Sequence, residues 1–210
     1  MSPAHDASST RQRLLEAAAH VFAEHGFAGA SIRDICTRAE ANVAAVNYHF
    51  GGKDDLATAV MQVPLQRLEA SIPAFTEPAL PLGEALCRMY QGMLAPLRHG
   101  SLEAAAMRAM ARCMSAPQPA EPRPDDAVIH RHHAALAALV ARHLPPEVKP
   151  EAISALCGAL VGMAMHAVMG HVRGGTLPRM WSGSGDAAVE ALAGRLARYG
   201  AAIVATEARS

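Results

Sequence analysis

Aromatic side chains are scarce in this chain: one Trp, three Tyr and four Phe among 210 residues. A core with so few rings must be filled by smaller groups, and alanine dominates an apolar share of 51%. Alanine is the best helix former, so long alanine-rich stretches favour helices. No stretch alternates apolar and polar residues for long enough to build a half-buried sheet. The expected class is all-α. Cysteine is also sparse: Cys36, Cys87, Cys113 and Cys157 are widely spaced and form no CxxC pair. Each reads as a small buried hydrophobe, which fits a reducing compartment. Charge of one sign is missing altogether. The formal net charge is zero, and residues 1–60 carry five basic against seven acidic side chains. A non-specific basic tail is thereby excluded, and any nucleic-acid binding must rest on a few placed contacts and on two heads acting together.

Other absences narrow the function. No GxGxxG, P-loop, HExxH or nucleophile elbow occurs, so no enzyme and no cofactor is expected. His130, His132 and His133 cluster within one helical turn, but no Cys or acidic residue has the spacing to complete a metal site. They read as a mostly exposed polar helix start. The N-terminus shows no apolar signal-peptide core, and a cytoplasmic protein is expected. The 21 uncharged residues from Ala152 to Val172 could span a bilayer by length. They include Ser154, His166 and His171, however, and much of their apolarity is alanine. A helix buried between other helices or between subunits is the reading, with no membrane partner.

What is present is strong helix punctuation. Residues 1–8 read as a loose tail, with Ser9 or Thr10 capping a first helix to about Glu24 that Gly26 ends. Leu14, Ala18, Val21 and Phe22 share its inner face. Ser31 opens a short second helix, and Asp34 three residues later makes an approximate capping box. Asn42 caps a third, Val43 to His49, which Gly51 and Gly52 stop. A fourth begins near Lys53, where Pro64 is expected to introduce a kink. Further helices are expected over Gly83–Leu94, Leu102–Met114, Asp125–Leu144, Glu151–Val172 and Asp186–Thr206. Pro117, Pro119, Pro122 and Pro124 mark a loop that no helix crosses. About nine helices result: a three-helix N-terminal domain over 1–55 and a larger helical domain over 56–210.

Two short helices joined by a tight turn, with another behind them, form the helix-turn-helix pattern. The second helix of that unit enters the major groove while the first crosses the backbone. Here the groove helix is Val43–His49, with Val46 and Phe50 facing inward. Val43, Ala44 and Ala45 stand where base edges are closest and offer apolar contact to thymine methyls. Asn47, or Arg33 on the preceding helix, supplies polar base reading. Ser31, Tyr48, His49 and Lys53 suit phosphates, Lys53 because it also opens a helix whose free N–H groups attract one. Tyr48 could equally pack in a small core.

The stretch EHGFAGASIRDICTRAEANVAAVNYHFGGKDDL, around Gly26 to Leu56, resembles the TetR family of regulators. It has a Gly-aromatic pair after the first helix, a small polar cap, then YHF, two small residues, Lys and Leu. The resemblance implies that Arg33, Val43, Ala44, Ala45, Asn47, Tyr48, His49 and Lys53 face DNA. It also implies a homodimer on a two-fold symmetric double-stranded site, and a small-molecule effector. Two departures stand out. The family usually has glycine in the turn where this chain has Glu40, so the turn is either strained or built with another geometry. It often has a second tyrosine at the position of Asn47.

The second domain offers a partner face and a pocket. Val189, Leu192, Leu196, Tyr199 and Ile203 recur at gaps of three and four, and Gly158 and Gly162 permit close helix approach. These seven are the dimer candidates, since the resemblance implies that the last two helices pair with those of a second copy. Met89, Met93, Met107, Met110, Met114, Met163 and Met169 are adaptable enough to line a pocket for a largely apolar effector. His166 is either a satisfied buried histidine or a polar group that orients that effector. The leading expectation is a repressor released from its operator by such a molecule. The competing reading is a helical protein-interaction module without DNA binding.

Overall fold

A computed structural model of the chain describes residues 3–97, 102–115, 126–172 and 185–209, with side chains over 9–97, 102–112, 126–170 and 185–209. Among the described residues there are nine α-helices and no strand: α1 Pro3–Gly29, α2 Ile32–Arg38, α3 Val43–Phe50, α4 Lys53–Thr76, α5 Leu82–Met93, α6 Leu102–Ser115, α7 Asp126–Ala141, α8 Pro150–Val172 and α9 Asp186–Glu207. The all-α class and the helix count agree with the sequence reading. Two details differ. The first helix begins at Pro3, where a missing N–H is harmless in the first turn. Pro64, in turn, lies inside α4, which continues through it as one 24-residue helix. Gly26 does interrupt α1: its φ of 72° lies in the left-handed region, and a short further turn follows. The proline-rich 117–124 segment lies outside the described residues.

The chain divides into two compact units. The first comprises α1 to α3, α4 as far as Pro64, and α6. Its core gathers Leu14, Ala18, Val21 and Phe22 from α1, Ile35, Cys36 and Ala39 from the α2 region, Val46 from α3, Leu56 and Val60 from α4, and Ala105, Ala106 and Ala109 from α6. The α6 alanines carry little more than a Cβ, so that helix lies close against α1. The sequence division at residue 55 placed α6 in the second domain. Its compact contacts are with α1, which sequence spacing does not reveal because the whole of α4 and α5 intervenes along the chain.

The second unit comprises α4 from Leu65, α5, α7, α8 and α9. Here α5 and α9 pack along their length. Gly200 of α9 makes this possible: a Cβ there would stand 2.7 Å from Leu160 Cδ2 and 3.1 Å from Leu86 Cδ1. Tyr90, fully buried, donates its hydroxyl to the Leu160 carbonyl at 3.1 Å, tying α5 to α8. Arg88 joins the end of α4 to α5 through Glu77 and the Ala74 carbonyl, and Arg131 of α7 pairs with Glu69 of α4 at 2.6 Å. These pairs are solvent-accessible and each contributes at most about 1 kcal/mol.

The tightest approach is at Gly92 of α5, where an added Cβ would meet the Ser71 Cβ of α4 at 2.6 Å. A Cβ cannot rotate aside, so Gly92→Ala must push the helices apart. Overpacking of this kind costs about 1–3 kcal/mol, and the gain of up to about 1 kcal/mol in helix propensity offsets only part of it. Thermal unfolding should show a lowered midpoint for Gly92→Ala and recovery in the Gly92→Ala/Ser71→Gly double variant. Equal midpoints for wild type and single variant would contradict this packing.

Among the described residues one helix segment, Pro150–Gly170, is long and apolar enough by length and composition to cross a membrane. Its Leu156, Cys157, Leu160, Ala164, Ala167 and Val168 are buried within the second unit.

Candidate DNA-binding surface

The surface is built from two well-terminated short helices. Ser31, at the N-cap of α2, accepts the Asp34 backbone N–H at 3.1 Å and donates its hydroxyl to the Asp34 carboxylate at 2.6 Å. This is an N-cap with half of the expected capping box: the Asp34 carboxylate turns back to the Ser31 hydroxyl in place of its backbone N–H. Asn42 caps α3 by accepting the Ala45 N–H at 2.8 Å. Gly51 closes α3 in the left-handed conformation at φ 87°, its N–H returning to the Asn47 carbonyl at 3.0 Å. The left-handed backbone is what favours glycine there; the nearest atom to an added Cβ is the tip of the exposed Asp55 side chain, which can turn away.

Between α2 and α3 the chain turns by a Schellman motif. The Ala41 N–H reaches the Cys36 carbonyl at 3.0 Å and the Glu40 N–H the Thr37 carbonyl at 3.3 Å. Glu40 stands at the left-handed position with φ 50°, the one positive-φ residue other than glycine among the described residues. The geometry is therefore the usual glycine one, occupied by a glutamate: of the two outcomes the sequence left open, the strained turn is the one observed. The left-handed conformation costs a residue with a Cβ about 1–2 kcal/mol, while glycine loses about 0.5–1 kcal/mol more chain entropy on folding. Glu40 also lines a polar depression together with Arg13, Glu16, His20 and Arg38. Glu40→Gly should accordingly stabilise the first unit by about 0.5–1 kcal/mol and raise its thermal midpoint by about 2–6 °C. A lowered midpoint would show that the charge environment outweighs the backbone strain.

With both ends fixed, α3 has a defined inner and outer side. Val46 is fully buried and Phe50 packs partly against the core. Val43, Ala44, Asn47 and Tyr48 are exposed, and Ala45 is half-buried. Tyr48 is 82% exposed, which removes the core alternative for it. Its ring meets the half-buried His49 edge-on at 4.9 Å. Ser31 and Arg33 are exposed on α2. Half-buried Lys53 holds its ammonium over the Phe27 ring at 4.5 Å, and Arg11 lies over the Phe50 ring at 4.9 Å. Both cations rest on aromatic faces, an attraction worth about 0.5–1 kcal/mol at accessible sites. Arg11 was not among the sequence candidates, and nothing in its spacing distinguishes it.

The effector candidates fall in both units. Met89 and Met93 on α5 are buried, and Met163 and Met169 on α8 half-buried, all in the second unit. Met107 and Met110 sit on α6, in the first. The Met114 side chain lies outside the described residues. His166 is exposed, not buried within α8. The histidine cluster also departs from expectation. His130 is exposed and His133 half-buried, but His132 is only 3% exposed. It falls on the inner stripe Val128, His132, Leu136, Leu139 of α7. Burial first and neighbouring His133 second lower its pKa to about 4, so the ring is neutral.

Of the dimer candidates, Val189, Leu192 and Leu196 are buried inside their own unit. Gly158, Gly162, Tyr199 and Ile203 are exposed, and a Cβ on either glycine would meet open space. Among the described residues no group of three His, Cys, Asp or Glu side chains could hold a metal. Cys36, Cys87 and Cys157 are free thiols, and burial pushes each pKa up, that of Cys157 to about 11. The Cys113 side chain lies outside the described residues.

A capped helix pair with an exposed outer face, set on a third helix, defines a helix-turn-helix DNA-binding transcriptional regulator. Residues 14–60 match the family described as bacterial regulatory proteins, tetR family, and residues 82–203 match the C-terminal domain of the HTH-type transcriptional dual regulator CecR. The chain belongs to the TetR family. Among curated relatives, the repressor SCO4008 of Streptomyces coelicolor is 37% identical over 70 residues, 33% of this chain and 36% of that protein. The nicotine-responsive repressor HdnoR of Paenarthrobacter nicotinovorans is 43% identical over 63 residues, 30% of this chain and 32% of that protein. The chain spans about a third of the length of these relatives. Across nearly the whole chain the fold is similar to PfmR of Thermus thermophilus, with a TM-score of 0.65, 22% identity and coverage of 90% and 94%. It is also similar to a gamma-butyrolactone receptor, an ArpA-like protein, with a TM-score of 0.59, 20% identity and coverage of 92% and 99%. Identities this low speak to the fold alone.

Proposed function

We propose that this regulator is a homodimeric repressor that leaves a two-fold symmetric operator when a small, largely apolar effector binds its second unit. The observation that carries the DNA reading is the outer face of α3, where Val43, Ala44, Asn47 and Tyr48 stand exposed on a helix locked inward by Val46. Val43 and Ala44 meet thymine methyls, Arg33 and Asn47 read base edges, and Ser31, Tyr48, His49 and Lys53 hold phosphates. A neutral chain has little general attraction for DNA, which makes two heads on two half-sites the natural arrangement.

The dimer reading rests on the uncovered side of α8 and α9. Gly158, Gly162, Met165 and Ile203 are exposed together with Tyr199, which is 53% exposed. Small residues on α8 admit a close helix, and Tyr199 and Ile203 supply apolar area to bury. Repression and effector release are supported by relatives such as SCO4008, named a repressor, and HdnoR, named a nicotine-responsive one. The match to the C-terminal domain of a dual regulator favours a second reading, in which one protein represses some promoters and activates others. Selection of bound sites from a random DNA library with purified protein tests the proposal. A two-fold symmetric motif with half-sites about one helical turn, or a multiple of it, apart is expected. A motif without symmetry would overturn the dimer reading, and no enrichment would overturn the DNA-reading face. A reporter placed behind the selected site then separates repression from activation.

A further inference from the structure

A regulator with no net charge has few cations to spare for DNA, so the place of each one matters. Residues 1–60 hold Arg11, Arg13, Arg33, Arg38 and Lys53. Arg38 is engaged with Glu24 at 3.0 Å. Arg13 hydrogen-bonds the Thr10 hydroxyl at 3.3 Å and lines the depression that also holds Glu16 and Glu40. Arg33 and Lys53 already belong to the DNA-reading face. Arg11 is exposed on α1, and among the described residues it forms no ion pair. Its guanidinium lies instead over the ring of Phe50, the last residue of α3, 4.9 Å from the centroid. Phe50 packs against the core of the first unit, so that ring is a fixed platform. The His49 ring stands 6.5 Å from Phe50, and the Tyr48 ring 4.9 Å from His49. Arg11 thus extends, from a different helix, the row of groups at the C-terminal end of α3.

We propose that Arg11 is a further DNA contact, supplied by α1: stacked on Phe50, it donates to a backbone phosphate next to those held by Tyr48 and His49. The inference rests on the DNA-reading face above and adds a residue to it. The chemistry follows from the shape of the group. A guanidinium is planar, and its N–H groups point outward in that plane. Stacking uses the face of the group, so Phe50 fixes it without occupying a donor. Two parallel N–H groups then match two oxygens of one phosphate. A loose arginine gives up much rotamer freedom when it binds, and a side chain already resting on a ring gives up less. The contact carries no sequence information and sets the position of the head on the duplex.

Arg11→Ala and Arg13→Ala test this as a pair, since each removes one positive charge from the same helix, two positions apart. Both are compared with the wild-type full chain on the selected operator by fluorescence anisotropy across a salt series. Arg11→Ala should lower the slope of log affinity against log salt by about 2 per dimer, one phosphate contact for each head. Its deficit should therefore be about tenfold larger at 50 mM salt than at 200 mM. Arg13→Ala should keep the wild-type slope. Uncharged methylphosphonates placed one at a time along the operator then locate the contact. One symmetric pair of positions that weakens wild type should have no effect on Arg11→Ala. A wild-type slope for Arg11→Ala, equal losses in the two variants, or a methylphosphonate pattern that Arg11→Ala leaves unchanged would each overturn the inference and keep the rest of the face. No DNA binding by wild type would overturn the face and the inference together. Where Arg11→Ala fails to fold, Arg11→Gln takes its place, because a planar amide keeps to the Phe50 ring while the charge is gone.

Discussion

Arg33→Ala should weaken binding to the selected operator by a factor of about 30 to 10⁴, and should relax base preference at one symmetric pair of positions. The size follows from symmetry. One well-made bidentate base contact is worth about 1–3 kcal/mol, and a dimer loses two with each substitution, hence about 2–6 kcal/mol, at tenfold per 1.4 kcal/mol. Asn47→Ala should behave alike at a different pair of positions, because Asn47 is exposed on α3 while Arg33 is exposed on α2. Lys53→Ala should instead weaken every DNA sequence similarly and lower the slope of log affinity against log salt by about 2 per dimer. Fluorescence anisotropy with the operator, a scrambled duplex and a salt series separates the two patterns. Neither Arg33 nor Asn47 belongs to the first unit's core, so their variants' thermal midpoints should stay near wild type, while Lys53→Ala also gives up the contact with the Phe27 ring and should melt slightly lower. Uniform loss across sequences for Arg33→Ala would move that residue from base reader to phosphate contact. No loss for either Arg33 or Asn47 would remove the base-reading assignment.

Helix boundaries were legible because they are set by local chemistry. Ser31 with Asp34, Asn42 and Gly51 each act within four residues of themselves, and the structure uses each as its sequence position suggests. What local pattern could not resolve is which side of a helix the rest of the molecule covers. In α9 the stripe Val189, Leu192, Leu196, Tyr199, Ile203 is a sound helical face, yet the buried side is rotated from it. It keeps Val189, Leu192 and Leu196 but continues through Ala193, Ala197, Gly200 and Val204 and leaves Tyr199 and Ile203 exposed, since α5 settles into the groove that Gly200 leaves. Small residues decide the packing there, and they carry little weight in a count of large apolar ones. The same holds for α6, whose alanines bind it to α1 although four helices intervene along the chain. Glu40 shows the converse: three main-chain hydrogen bonds around the turn impose a conformation that its own side chain disfavours. His132 was read by residue type as surface, although Val128, Leu136 and Leu139 place it on the buried side by spacing alone.

That buried histidine should make the second unit acid-labile well above the range in which carboxylates titrate. In the unfolded chain the ring takes up a proton near its ordinary value of 6.5, whereas in the folded chain it does so only at about 4. Between those values the unfolded state binds more protons, so stability falls as pH falls. The penalty is absent above about pH 6.5, grows by about 1.4 kcal/mol per pH unit, and reaches about 3 kcal/mol at pH 4. The groups facing the ring do not reverse this sign. His133 on the same helix lowers the value further, Phe75 from α4 carries no charge, and Glu69 of α4 is engaged with Arg131. His20 in the first unit, lowered by burial and then by Arg38 and Arg108, adds a contribution in the same direction. Comparison with His132→Leu isolates the residue of interest, because every other group titrates in both proteins. Urea unfolding from pH 7 to pH 4 should therefore show wild type losing about 3 kcal/mol more than the variant. At pH 7 the variant should be at least as stable, since leucine leaves no unpaired nitrogen in the core. A difference that stays constant across the range would mean that the folded protein accepts a proton at His132 without penalty. The ring would then have a partner or water at hand in the folded state.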